Sequence, residues 1–280
     1  MQPGLLVQAS GTQPLPLGVP VLAQAPLTGA SADDALAYAD TLGRAASRAL
    51  DDALAAVILH GSLTLGDYLP GRSDIDLLLI VADPLTDAQL AGLAKAVGQQ
   101  RPRAPIRVDL RVVTRTAAGV PTPLPPMEAY LRIKGSERRA HIEGRDRGER
   151  DLAVEFSVCR AHGRSLLGAP PSELIGRVPD RWVLDAGDAQ LADWQAIGDD
   201  PPYAQLTVLS ACRVWRFAEE RQHSAKDAAG LWALRHDPSL QVVRDALHQR
   251  HSDPAYTIDY AHINDLLALV RGRVAAAEFS

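Results

Sequence analysis

Cysteine is scarce in this 280-residue chain: Cys159 and Cys212 stand far apart with no Cys-x-x-Cys pair, which excludes a disulfide-stapled scaffold and offers no zinc or redox motif. Both are expected to be packing residues of a protein kept in a reducing compartment. No apolar run approaches the ~18 residues of a membrane span, and the N-terminus lacks a basic stretch followed by an apolar one, so neither a membrane anchor nor a secretion signal is expected. The cytoplasm is the expected location. An excess of positive charge is also missing. A formal charge of -5 and a pI near 5.9 argue against a general nucleic-acid binder, whose affinity rests on basic surface. Lysine is the rarest charged residue, at Lys95, Lys134 and Lys226 only, while Asp is abundant. An isolated Asp or Arg therefore says little, and each lysine says slightly more.

What is present suffices for a folded core, with 46% hydrophobic and 22% charged residues. The length exceeds one domain of about 100–200 residues, so two compact units are expected. Residues 1–30 are uncharged and rich in Pro, Gly and small side chains, and read as a loosely held segment. From Ser31 an Ala-rich, capped amphipathic helix runs to about Leu54. Strand-like runs follow at Ala55–His60, Ile75–Val81 and Ile106–Val113, with a helix over Thr86–Gln99 between the last two: an α/β alternation. A Pro-rich loop over 120–130 and a basic stretch over 132–150 come next, the latter read as a solvated strand pair. Beyond Arg150 the pattern predicts helices alone, over 150–167, 181–196, 203–221, 224–235, 239–250 and 256–277. A boundary near 148 divides an α/β unit (31–148) from a helical one (149–280), with room for a ligand between them.

The most informative stretch is HGSLTLGDYLPGRSDIDLLLIV, residues 60–81. Side chains alternate along a strand, so Asp74 and Asp76 share one face while Ile75 and Leu77 share the other. Two carboxylates so close repel each other unless a cation sits between them, and Mg²⁺, an oxygen-seeking ion that commonly bridges carboxylates and phosphates, resolves that conflict. A third carboxylate, Asp109, lies mid-strand in RVDLRVV, where Asp is disfavoured. Should its strand lie beside the first, three carboxylates converge, enough for a pair of metal ions in phosphoryl displacement, and Asp109 could accept a hydroxyl proton. Alone, Asp-x-Asp is more often a turn or a cap in an Asp-rich chain. Gly61-Ser62, before the pair, adds a close backbone approach and a hydroxyl suited to a phosphate.

Gly61-Ser62 followed by Asp74-Ile75-Asp76, with an Asp on a later strand, resembles the signature of the DNA polymerase beta-like nucleotidyltransferases. Within that superfamily, GRSDIDLLLIV is similar to the corresponding segment of the streptomycin/spectinomycin adenylyltransferases. The likeness extends to Asp151-Leu-Ala, Leu-Leu-Gly at 166–168, LTVLSACRVW (206–215) and SAKDAAGLWA (224–233), and so covers nearly everything after residue 30. It implies an α/β nucleotidyltransferase domain with a mixed sheet followed by an all-α helical bundle. It implies an enzyme that moves AMP from ATP to a hydroxyl of a cationic aminocyclitol, acting as a monomer or weak dimer. Asp74, Asp76 and Asp109 would hold two Mg²⁺ ions, with Asp109 also the general base. Gly61, Ser62 and Ser73 would meet the triphosphate, Asp151, Arg213 and Lys226 would close the nucleotide site, and Trp194 and Asp199 would recognise the acceptor.

The chain departs from that pattern in three places. The third carboxylate is Asp rather than Glu, no Trp occurs in YLRIKGSERRAHIEG, and seven basic residues crowd 132–150. A phosphorylated or nucleic-acid substrate would suit the last feature, but no aromatic platform for stacking bases is interleaved there. Competing readings are a nucleotidyltransferase for another metabolite or a protein, and a non-catalytic nucleotide-binding module of antitoxin type.

Overall fold

The computed structural model describes residues 29–134, 139–197 and 203–277, with the backbone only of 146 and 147. Six strands form one mixed sheet: β1 (Leu54–His60), β2 (Ile75–Val81), β3 (Val108–Thr114), β4 (Pro126–Ile133), β5 (Ala140–Gly148) and β6 (Arg164–Leu167), in the order β5-β4-β3-β2-β1-β6. Only β2 and β3 run parallel, so their connection must cross over, and it does so through α3 (Asp87–Gly98). α1 (Ala32–Leu50) precedes the sheet, and the short helices α2 (Ser62–Leu65) and α4 (Arg115–Gly119) lie between strands. After the hairpin β4–β5 come α5 (Arg150–His162), α6 (Pro171–Leu174), α7 (Asp180–Ile197), α8 (Ala204–Glu220), α9 (Lys226–His236), α10 (Gln241–His251) and α11 (Tyr260–Ala277).

Local chemistry starts the two flanking helices. The Ser31 hydroxyl accepts from the Asp34 N–H at 3.1 Å to cap α1, and Thr86 and Gln89 form a reciprocal capping box on α3. α1 and α3 cover one face of the sheet, burying Val57 and Leu59 of β1, Ile75, Leu77 and Leu79 of β2, and Val108, Leu110 and Val112 of β3. The alternate residues, Ala56 and Ile58, Leu78 and Ile80, and Val113, belong to a second core shared with α5, α8 and α9. A one-residue slip of β2 would exchange two buried apolar sets but press Asp76 into the α1–α3 core, where a carboxylate without a partner costs at least about 2 kcal/mol. That cost fixes the register, and the register places the carboxylates.

Several boundaries differ from the sequence reading. The first helix stops at Leu50, and β1 begins at Leu54. β4 begins at Pro126, inside the expected loop, because Met127, Ala129, Leu131 and Ile133 alternate into the interior behind the prolines. The helix expected over 150–167 ends at His162: a Cβ at Gly163 would meet the Cys159 carbonyl at 2.4 Å, and the chain turns there to lay β6 against the open edge of β1. A strand beyond Arg150 was not expected. Cys159 and Cys212 are both buried free thiols, as their spacing suggests. Residues 1–28 of the N-terminal segment lie outside the described residues.

Candidate active site

Strand register assembles the acidic centre. His60 of β1 pairs with Asp76 of β2, Asp76 pairs with Asp109 of β3, and Asp109 pairs with Arg132 of β4. All four side chains point to the sheet face that meets the helical half, and Asp74 stands two residues before Asp76 on the same face. Burial pushes Asp76 up to about 6, with Asp109, Glu155 and Asp74 adding to the rise and His60 opposing it. Burial also raises Asp74, against the pull of Arg107. Each outer carboxylate has a cation of its own: Arg107 Nε donates to Asp74 Oδ1 at 2.5 Å, and Arg132 Nε donates to Asp109 Oδ1 at 3.0 Å. Among the described residues no three His, Cys, Asp or Glu side chains stand as a ready ligand cluster, and Asp74 and Asp109 are each paired with an arginine.

The loop after β1 supplies a cradle. Gly61 has φ +71°, and a Cβ there would sit 2.0 Å from Asp76 Oδ2, so only glycine lets the backbone pass this close to the carboxylate. The neighbouring Ser62 hydroxyl is buried with no hydrogen-bond partner, a costly state unless a ligand satisfies it. Gly61, Ser62, Ser73, Asp74, Asp76, Arg213 and Lys226 line a cleft of about 780 Å³ between the sheet and the helices. Neither Arg213 nor Lys226 forms an ion pair among the described residues, and burial lowers both, Lys226 to about 8. Two cations desolvated without carboxylate partners are the mark of a site made for an anion. Hard oxygen donors on β2 and β3 beside an orphaned hydroxyl also suit Mg²⁺ with a phosphate.

Asp151 and Trp194 lie elsewhere, on a smaller cavity of about 350 Å³ that shares Gly61, Asp76, Arg213 and Lys226 with the cleft. Asp199 lies outside the described residues. The smaller cavity exposes residues that spacing could not reveal. Glu155, buried on α5, pairs with Arg111 of β3 and lies 3.2 Å from His60 Nε2. Burial opposes charge on both His60 and Glu155, yet Glu155 and Asp76 raise His60 against the opposing Arg111, and Arg111 with His60 lowers Glu155. An acidic residue within an otherwise apolar stretch of α5 was the available signal.

A second missed cluster joins the two halves of the chain. Asp67, in the loop between α2 and β2, accepts from the Lys226 backbone N–H at 3.0 Å and from Arg250 Nη2 at 2.9 Å. Arg250 also donates to Asp227 Oδ1 at 2.8 Å, and His251 Nε2 lies 2.8 Å from Asp227 Oδ2. Although burial works against it, His251 and Arg250 hold Asp227 down to about 2. Arg72 Nη1 adds a bond to the Gln249 carbonyl at 3.1 Å.

Comparison with known proteins agrees with this layout. Residues 44–139 match the nucleotidyltransferase domain, and residues 173–273 match the C-terminal domain of aminoglycoside adenylyltransferases. Among solved structures, the spectinomycin adenyltransferase AAD(9) from Enterococcus faecialis, with ATP and spectinomycin, is similar at a TM-score of 0.64 and 17% identity, over 86% of this chain and 99% of that one. At that identity the likeness concerns the fold. The STING-associated CdnE c-di-GMP synthase from Capnocytophaga granulosa is 16% identical over 89% of this chain and 82% of its own, with a TM-score of 0.31, too low to bear on the argument.

Proposed function

Since the chain belongs to the aminoglycoside adenylyltransferase-type nucleotidyltransferases, we propose that it transfers AMP from ATP to a hydroxyl of an aminocyclitol such as streptomycin or spectinomycin and releases pyrophosphate. The observation that carries this reading is the pairing of Asp76 with Asp109 across β2 and β3 beside two cations, Arg213 and Lys226, that lack carboxylate partners. Ser62 and Ser73 would meet the triphosphate, and Arg213 with Lys226 would balance the charge that grows on the departing pyrophosphate. Asp109 would take the proton of the attacking hydroxyl. Asp74, Asp76 and Asp109 would hold two Mg²⁺ ions, which supply charge stabilisation to the phosphoryl oxygens.

Asp151, which shares the smaller cavity with Trp194, would close the nucleotide site with Arg213 and Lys226, and Trp194 and Asp199 would recognise the acceptor. An indole face suits a cation or a sugar ring. Among the described residues no helix is long and apolar enough to cross a membrane, and the proposed setting is the cytoplasm, where ATP is supplied to a monomer or weak dimer.

Pyrophosphate release from Mg-ATP, measured with streptomycin, spectinomycin and a kanamycin-class control, tests the proposal. Stimulation by at least one of the first two and not by the control is expected. No stimulation by either would sink the antibiotic assignment and leave nucleotidyl transfer to a different hydroxyl compound or a protein.

A further inference from the structure

Beside the three carboxylates the sheet sets three arginines, and only two of them meet a carboxylate of the proposed metal site. Arg107, Asp109 and Arg111 stand at alternate positions in and just before β3, hence on one face. Arg107 is paired with Asp74, and Arg132 of β4 with Asp109. The third arginine does not complete the series. Asp76 has no ion pair with an arginine among the described residues, and Arg111 is paired instead with Glu155, which reaches it from α5 in the helical half.

Glu155 is buried, and its second carboxylate oxygen lies 3.2 Å from His60 Nε2, so it ties β1 to β3 across the strand that bears Asp76. The other contact of Arg111 is the uncharged Tyr130 ring, 5.2 Å from the guanidinium carbon. Glu155 does most to hold Arg111 charged against burial, and Tyr130, Asp109 and Asp151 add to it. Asp109 is two residues from Arg111 along the strand, about 7 Å and within reach of an arginine side chain. Asp76 borders the same cavity as Arg111 and Glu155. Without Glu155, Arg111 would be drawn to Asp109 or Asp76, and its guanidinium would compete with a divalent cation for the carboxylate oxygens.

Resting on the assignment of Asp76 and Asp109 to Mg²⁺, we propose that Glu155 is a positioning residue: it holds Arg111 off the acidic centre and so keeps Asp76 open to a metal ion. Mn²⁺ affinity in the wild type, E155Q and E155Q/R111Q tests this. The readout is the electron paramagnetic resonance of the free ion in the presence of α,β-methylene-ATP, corrected for the nucleotide alone. E155Q keeps the shape and an acceptor for His60 but loses the charge that restrains Arg111, and should weaken Mn²⁺ binding by about tenfold or more. E155Q/R111Q also removes the released cation. It should return the affinity to the wild-type value, since replacing both members of a buried pair can be close to neutral where removing one is not.

Should E155Q fail to fold by circular dichroism, R111Q and E155Q/R111Q carry the test: both should bind Mn²⁺ at least as tightly as the wild type, and a weakening in either overturns the proposal. An unchanged affinity in E155Q, or a loss that E155Q/R111Q does not restore, overturns the role of Glu155 and leaves the metal site standing. A wild type that takes up no Mn²⁺ overturns the metal assignment and this proposal with it.

Discussion

Asp109 has its cation before any ligand arrives, since Arg132 lies 3.0 Å from it on the neighbouring strand. The role proposed for Asp109, a carboxylate shared with the metal ions that also accepts the hydroxyl proton, makes D109N the sharpest single change. It is nearly isosteric, so far-ultraviolet circular dichroism should be unchanged, while kcat falls by about 10²–10⁴-fold, the usual worth of a positioned base. Activity near that of the wild type would remove Asp109 from the chemistry. Lys226 gives a prediction in pH. Burial, with Arg213 and Arg250, lowers it to about 8. Between about 8 and the ordinary lysine range the unfolded chain holds the extra proton, so this residue lets the free enzyme gain stability as pH rises through that window. Nucleotide binding runs the other way, because a neutral amine no longer attracts phosphate. KM for ATP should therefore climb above about pH 8 in the wild type. In K226R, whose guanidinium stays charged, that alkaline limb should flatten; an identical limb in both proteins would assign it elsewhere.

At the scale of elements, α9 depends on a residue from the other half of the chain. Its own N-cap, Ala225, has no side-chain acceptor, and Asp67 fills that role while pairing with the buried Arg250. D67A should remove a cap and half of a buried ion pair together. Arg250 keeps Asp227, so a loss of about 3 kcal/mol, the lower end for such pairs, is expected from urea unfolding. The same change should raise KM for ATP more than KM for the acceptor, since it loosens Lys226 and not Trp194. A variant as stable as the wild type would show that the pair contributes nothing net. Elements differ in how much the sequence disclosed. β1 and β2 were legible as apolar runs bounded by turn residues and β3 by its alternation. Alternation put Asp74 and Asp76 on one face and Asp109 on the polar side of its own strand, whereas Ser62, in α2, was picked out only by the Gly-Ser pair before them. β6 was hidden: four residues at the end of an apolar stretch continue a helical pattern until Gly163 forces the turn. Asp67, Glu155 and Arg250 were hidden for another reason. Their meaning lies in partners far along the chain, and spacing carries no signal for a contact such as Asp67 with Arg250.

Over the whole molecule, the composition break near residue 148 divides the chain but not its core. β6, from beyond that break, closes the β1 edge of the sheet, and α5 packs on the face that bears His60 and Asp76. The two family matches leave 140–172 between them, and that interval holds β5, α5 and β6. One core lies under α1 and α3, and the other joins Ile58, Leu78 and Ile80 of the sheet to Phe156, Leu209 and Trp232 of the helices. Separating the halves would uncover that second core and part Glu155 from His60 and Arg111 and Arg250 from Asp67. We therefore expect the full chain to melt as one unit, with circular dichroism and tryptophan fluorescence giving coincident transitions, although its length would allow two. A fragment of residues 31–148 should lack a cooperative transition and associate through its exposed sheet face. A monomeric 31–148 fragment with a sharp melt would show that the α/β unit stands alone, and the cleft would then be a junction between independent bodies rather than a fissure in one. The distinction reaches the chemistry, because Lys226 and Arg213 face Asp76 across that cleft, and a shared core fixes their distance before ATP binds.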